Sequence, residues 1–146
     1  MARVKITVPS KRIFSADIPV RITDINYGNH LGNDALVSLL HEVRMQWLAS
    51  GNYSELDIDG AGLIMSDLAV EFKKEAFYGD LLTVGVAVSE IQKISFELYY
   101  EVTTVREGSK LLIANAKTGM VCYDYAAKKV TPLPEGFVNF LQQETS

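Results

Sequence analysis

Residues 21–44 read RITDINYGNHLGNDALVSLLHEVR, and this stretch holds the densest set of side chains able to move protons or orient polar groups. Asp24, Asn26, His30, Asn33, Asp34 and Glu42 all fall within it. An imidazole titrates near neutrality, so His30 suits acid–base work. A carboxylate such as Glu42 can take a proton from water, and a partly apolar surrounding would raise its affinity for that proton. Asn26 can orient water or donate to a carbonyl, but an amide is not a base. Outside the stretch, Asp67 interrupts an apolar run, where an unpaired acid is costly. Each residue also has a plainer reading. Asp24 with Asn26 makes an ordinary Asx-rich turn. His30 fits a loop or cap, Glu42 a solvated partner of Arg44, and Asp67 a structural hydrogen bond.

Other chemistries find less support. His30 and His41 have no Cys, Asp or Glu at metal-ligand spacing, so no metal is expected. Ser38 and Ser66 lack a Gly-X-Ser-X-Gly context, and no glycine-rich phosphate loop is present. The chain has 146 residues, enough for one domain and too few for two, so residues 1–146 are expected to form a single domain. Its net charge of -4 argues against a nucleic-acid partner. The single cysteine, Cys122, excludes an internal disulfide and fits a reducing compartment. Residues 1–10 carry no long apolar run of the signal-peptide kind. Nor does any stretch approach the roughly 20 apolar residues that span a bilayer. The expectation is a soluble, cytoplasmic protein.

The elements that must position these groups follow from periodicity. Residues 13–22 predict a first strand, with Pro19 at an edge or bulge, and residues 24–32 a turn-rich connection. A helix is expected from 33 or 34 to 50, capped by Asn33 or Asp34 and stopped at Gly51 and Asn52. At about 100° per residue, Leu36, Leu39, Leu40, Val43 and Trp47 share the face that meets a sheet. Ser38, His41, Glu42 and Met45 form a mixed back face. Strands follow at 62–73, 82–91, 95–105 and 110–125, with a hairpin turn at 106–110 and a short helix at 135–142. Short turns require antiparallel pairing. One long helix followed by such strands is most economically wrapped by a curved sheet, an α+β arrangement. Such a sheet leaves an edge and an outer face, which a second copy would cover.

The segment 21–44 resembles the signature of hotdog-fold thioesterases related to 4-hydroxybenzoyl-CoA thioesterase. In that family an Asp-X-Asp turn leads through a His-Val-Asn-Asn-like stretch into the long central helix. His30-Leu31-Gly32-Asn33 stands where that stretch belongs, and Glu42 and Arg44 where the family helix carries a glutamate and an arginine. Residues 70–80, VEFKKEAFYGD, resemble the family's following strand and its Gly-Asp turn. The resemblance covers roughly residues 14–125. It implies a hotdog fold, acyl-CoA or acyl-carrier-protein thioester hydrolysis, and a homodimer or homotetramer. It implies no cofactor beyond the coenzyme A of the substrate.

One position departs from the pattern. Many relatives place a catalytic carboxylate four residues before the motif histidine, and Asn26 stands there instead. Asp24 matches the first, often structural, acid. Some hotdog acyl-carrier-protein thioesterases place asparagine and histidine in this loop with an acid elsewhere, and this sequence is similar in kind. The expected site therefore has Glu42 or Asp67 activating water, Asn26 and His30 placing substrate, and the start of the helix, Asn33 and Asp34, polarising the thioester carbonyl. Lys73, Lys74, Phe77 and Tyr78 would meet the phosphates and adenine of coenzyme A, and Tyr27 would bind substrate. A hotdog dehydratase or hydratase and a non-catalytic acyl-thioester-binding protein stand as alternatives.

Overall fold

The structure, a computed structural model, describes residues 3–143. Five long strands form one antiparallel sheet: β1 (Phe14–Pro19), β2 (Gly62–Phe72), β3 (Leu81–Ser89), β4 (Ser95–Arg106) and β5 (Ser109–Asp124). Their spatial order is β1-β3-β4-β5-β2, and a two-residue strand β6 (Lys129–Val130) adds to β5. The helix α1 (Asn33–Ser50) lies between β1 and β2 in sequence and so connects the two edges of the sheet. A second helix, α2 (Glu135–Leu141), closes the chain.

The helical stripe read from the sequence is the buried face. Leu36, Leu39, Leu40, Val43 and Trp47 are all at most 3% exposed. They share one core with Val84 and Val86 of β3 and with Phe96, Leu98, Tyr100 and Val102 of β4. The register Val84↔Val102 and Val86↔Tyr100 puts these strand residues on the same face, as their alternation requires. The curved antiparallel sheet wrapped on one central helix is therefore the observed architecture. Beneath it, Trp47 stacks on Phe140 at 5.2 Å between ring centroids and meets Phe137 at 6.3 Å, which fixes α2 to the far end of α1.

Four local details differ from the sequence expectation. β1 stops at Pro19 because residues Ile22–Asp24 turn into a 3₁₀ helix. The cap of α1 is Gly32, not Asn33 or Asp34, and it supplies no side-chain hydrogen bond. The β4–β5 turn is tighter than 106–110: Arg106 pairs with Ser109, leaving only Glu107 and Gly108 in the turn. Both have positive φ, 53° and 79°, the backbone twist that a two-residue hairpin needs. β6 has no counterpart in the expected strands. At β2 the register shifts between Met65 and Asp67, so Ser66 is the extra residue of a bulge.

Candidate active site

The loop from Asp24 to Gly32 is built by its own polar groups. Asp24 is buried, and its carboxylate accepts from the Arg21 backbone N–H at 2.8 Å and from the Arg21 guanidinium at 3.2 and 3.3 Å. Its backbone carbonyl takes the Gly32 N–H at 3.0 Å, tying the two ends of the loop together. Asp24 is thus a framework residue. Asn26 Oδ1 accepts from the Gly28 N–H at 2.8 Å, and the His30 N–H lies 3.5 Å from it. The Asn26 N–H donates to the His30 carbonyl at 2.9 Å, and Asn29 takes the left-handed φ of 66° that closes the turn. So the Asn26 oxygen is engaged within the loop, as the Asx-turn reading requires.

A single long-range hydrogen bond then aims the loop. The Leu31 N–H donates to the Ala76 carbonyl at 2.8 Å, docking the loop on the segment that leaves β2. This brings His30 Nε2 to 3.5 Å from Glu75 Oε1. The pair stands at a cleft of about 260 Å³ whose walls include Asn33 and Leu36 of α1 and Phe72 and Ala76. Lys73 and Lys74 line the same cleft. Because Gly32 gives no side-chain cap, the first-turn N–H groups of α1 keep their partial positive charge beside that cleft. An imidazole, a carboxylate, a helix start and two ammonium groups therefore converge.

The structure does not gather all of the expected site residues. Glu42 is exposed and accepts from Gln46 Nε2 at 2.8 Å, not from Arg44. It lines a groove with Asp17, Pro19 and Arg21, on the β1 side of α1, whereas His30 and Glu75 lie on the β2 side. That groove is partly apolar, with Ile18 and Leu39 in its wall, but Glu42 is exposed there and stands apart from the His30 cleft. Asp67 points to the outer face of the sheet, opposite to Leu68. It accepts from Lys117 Nζ at 3.0 and 3.1 Å and from the Gly119 N–H at 2.9 Å. The Lys117 hydrogen bond holds the Asp67 carboxyl below the usual carboxylate range, with Gly119 helping and burial opposing. A carboxylate so engaged is a poor base. Asn33 lines the cleft and Asp34 sits beside it in the first turn, exposed. Lys73 is at the cleft but bonded to Glu71 at 2.9 Å. Tyr27 projects fully into solvent, Tyr78 is 66% exposed, and Phe77 lies under the Arg106 guanidinium at 5.0 Å.

One residue of the cleft, Glu75, is not singled out by the sequence. Glu75 carries no signal of its own within a charged stretch, because its role depends on the Leu31–Ala76 hydrogen bond. Arg44, which matches the family's helix arginine and was one possible partner for Glu42, is 6% exposed and turned inward. Among the described residues no three His, Cys, Asp or Glu side chains group as metal ligands, and no helix is long and apolar enough to cross a membrane.

Comparison with known proteins agrees with this architecture. Residues 20–141 match the model of the thioesterase-like superfamily, and the chain belongs to that family. It is 32% identical over 74 residues to a 1,4-dihydroxy-2-naphthoyl-CoA hydrolase of Acaryochloris marina, a match covering 51% of this chain and 53% of that protein. The match therefore spans about half the length of that relative. A hydrolase of the same name from Microcystis aeruginosa is 27% identical over 109 residues, 73% of this chain and 76% of its own. Among solved structures, a 4-hydroxybenzoyl-CoA thioesterase variant complexed with 4-hydroxybenzoyl-CoA superposes with a TM-score of 0.80 at 16% identity, covering 90% of this chain and 99% of that one. A 1,4-dihydroxy-2-naphthoyl-CoA thioesterase from Synechocystis gives 0.77 at 22%, over 88% and 94%. At these identities the structures show a shared hotdog fold.

Proposed function

We propose that this protein hydrolyses acyl-CoA thioesters, with His30 as general base and Glu75 as its orienting carboxylate. The observation that carries this reading is the His30–Glu75 pair, 3.5 Å apart at the cleft beside the uncapped start of α1. Separations of this kind shorten when substrate displaces water. With its Nε2–H directed at Glu75, the imidazole has Nδ1 free to accept a proton from water. The resulting hydroxide adds to the thioester carbon, and the oxyanion is held by first-turn N–H groups of α1. Collapse breaks the C–S bond, and the imidazolium returns its proton to the departing thiolate. Glu75 remains ionised throughout. Asn26 acts on this site indirectly, by holding the loop that carries His30. Lys73 and Lys74 lie where coenzyme A phosphates would pass, and the exposed rings of Tyr27, Phe77 and Tyr78 offer stacking surfaces for adenine.

Thiol release from a panel of acyl-CoA substrates tests the reading. His30→Gln should lower kcat by about 10²- to 10⁴-fold, the usual worth of a general base, and Glu75→Gln by about tenfold. Wild-type activity unaffected by either change would refute the assignment. Because Asn26 replaces an acid, a protein that binds acyl thioesters without turnover is the competing reading, and tight binding with no thiol release would select it.

The remaining features of the proposal concern the whole protein. The chain works as one thioesterase domain in the cytoplasm, needs no cofactor, and self-associates. The exposed inner-face side chains of β2, namely Met65, Leu68 and Phe72, support a second copy covering that edge.

A further inference from the structure

The seam between α1 and the edge strand β2 continues beyond the His30–Glu75 cleft. Its floor is the inner row of β2, where Phe72, Val70, Leu68 and Met65 register against Ala114, Ala116, Thr118 and Met120 of β5. Phe72 belongs to the first cleft. Leu68 and Met65 line a second cavity of about 310 Å³, with Val37 and Leu40 of α1 opposite.

This second cavity reaches a polar cluster that the proposed hydrolysis does not use. Arg44 lines it while being only 6% exposed. Arg44 Nη1 donates to Tyr100 Oη at 3.1 Å, and that hydroxyl is hydrogen-bonded to Thr118 Oγ1 at 2.8 Å. Arg44 Nε stands 3.5 Å from Glu55 Oε2 and has no hydrogen-bond partner. Glu55 Oε1 is in turn held by His41 Nε2 at 2.5 Å. A guanidinium presents a rigid fork of donors, and leaving a buried one unused is unfavourable. At the wall of a cavity that is part apolar and part polar, where Ser38, His41 and Thr118 also stand, such a group is a receptor for an oxygen acceptor.

Charge decides which oxygen. Arg44 is already balanced by Glu55, so an added carboxylate would stand beside the Glu55 carboxylate with little net cation to hold it. A methyl group would leave the guanidinium donors unused. A hydroxyl or carbonyl oxygen avoids both penalties, and a hydroxyl can also donate to Glu55.

We infer that the α1–β2 seam takes the acyl group lengthwise and that Arg44, backed by Glu55, binds a neutral oxygen function at its far end. The inference rests on the thioesterase reading for its direction, carbonyl at His30 and tail at Arg44. From the level of Ala114 to that of Thr118 is four residues of β5, about 13 Å. An acyl chain of about eight to twelve carbons spans that length.

The test uses the full chain and three ligands of equal length: decanoyl-CoA, its terminal hydroxy analogue and its terminal carboxy analogue. Non-hydrolysable thioethers of each are titrated calorimetrically, and kcat/KM is measured for the thioesters. The wild type should bind the hydroxy ligand about tenfold or more tightly than either of the others. Arg44→Met should abolish that preference, and Glu55→Gln should selectively improve binding of the carboxy ligand. Equal binding of all three by the wild type overturns the inference, and is also what a groove filled by a second copy would give. So does a preference that survives Arg44→Met. Should that variant fail to fold, Glu55→Gln decides: an unchanged penalty on the carboxy ligand overturns the inference. Binding preference without any thiol release removes the thioesterase reading and leaves the inference standing. Thiol release without preference removes the inference alone.

Discussion

His30 and Glu75 are 45 positions apart, and nothing in either residue's neighbourhood announces the other. What joins them is the Leu31 N–H bonded to the Ala76 carbonyl, a contact between two backbones that side-chain identity does not encode. This is why His30, sitting before a visible helix start, was legible as a candidate while its acid was not. Glu42 and Asp67 were legible as acids, and only their surroundings disqualify them. Glu42 lies in solvent on the other side of α1, and Asp67 is occupied by Lys117 and Gly119. Glu42→Gln and Asp67→Asn should therefore leave kcat within about threefold of wild type, since neither removes a group within reach of the reacting atoms. A tenfold loss in either variant, measured by thiol release, would restore that acid to the mechanism. In the proposed mechanism Asn26 positions the loop that carries His30, and the prediction for it differs. Asn26→Ala removes the acceptor of the Gly28 N–H and should lower kcat about tenfold with little change in KM. Asn26→Asp keeps an oxygen in that place and should recover most of the loss. If it does not, the Asn26 amide must act on the substrate itself.

At the scale of elements, periodicity carried most of the information. The α1 stripe and the alternation in β3 and β4 reappear as one core because burial follows the helical and strand repeats directly. Boundaries fared worse. Gly32 took the cap although Asn33 and Asp34 both favour that position, because its N–H is held by the Asp24 carbonyl, a loop contact no capping rule anticipates. The end of α1 shows how closely two elements meet. A Cβ on Gly51 would lie 2.6 Å from Phe140, a ring already stacked on Trp47. Gly51→Ala should therefore destabilise the protein by about 1–3 kcal/mol through overpacking, read as a lower midpoint in chemical denaturation. On the outer face, Asp67 and Lys117 tie β2 to β5. Asp67 has its carboxyl affinity for protons lowered on folding, so its contribution is complete above the ordinary carboxylate range and is lost as pH falls through the lowered folded value. With Asp67 more than half exposed, that contribution is at most about 1 kcal/mol. Wild type and Lys117→Met should accordingly differ in stability at neutral pH and converge in acid.

For the molecule as a whole, the two edges of the sheet are unequal. β1 spans six residues and ends on Pro19, which cannot donate a hydrogen bond to a further strand. β2 spans eleven residues, and along it Met65, Leu68 and Phe72 remain 38–47% exposed although they face the helix side of the sheet. α1 covers the sheet centre and leaves this margin open, so the apolar surface there is what the proposed self-association would bury. The bulge at Ser66 breaks the regular spacing of free backbone groups and restricts how a second strand can align. Leu68→Lys places a charge in the middle of that margin without touching His30, Glu75 or the start of α1. Sedimentation should show wild type as a dimer or larger and Leu68→Lys shifted toward the monomer, with the same far-ultraviolet circular dichroism. A variant that keeps the wild-type mass would place the second copy elsewhere, against the outer face or α1. The His30–Glu75 cleft sits at the end of the same seam, and Phe72 belongs to both. If the second copy roofs that seam, thiol release per chain by the wild type should fall on dilution in step with dissociation, whereas Leu68→Lys, which also alters the seam itself, reports on association through its mass alone.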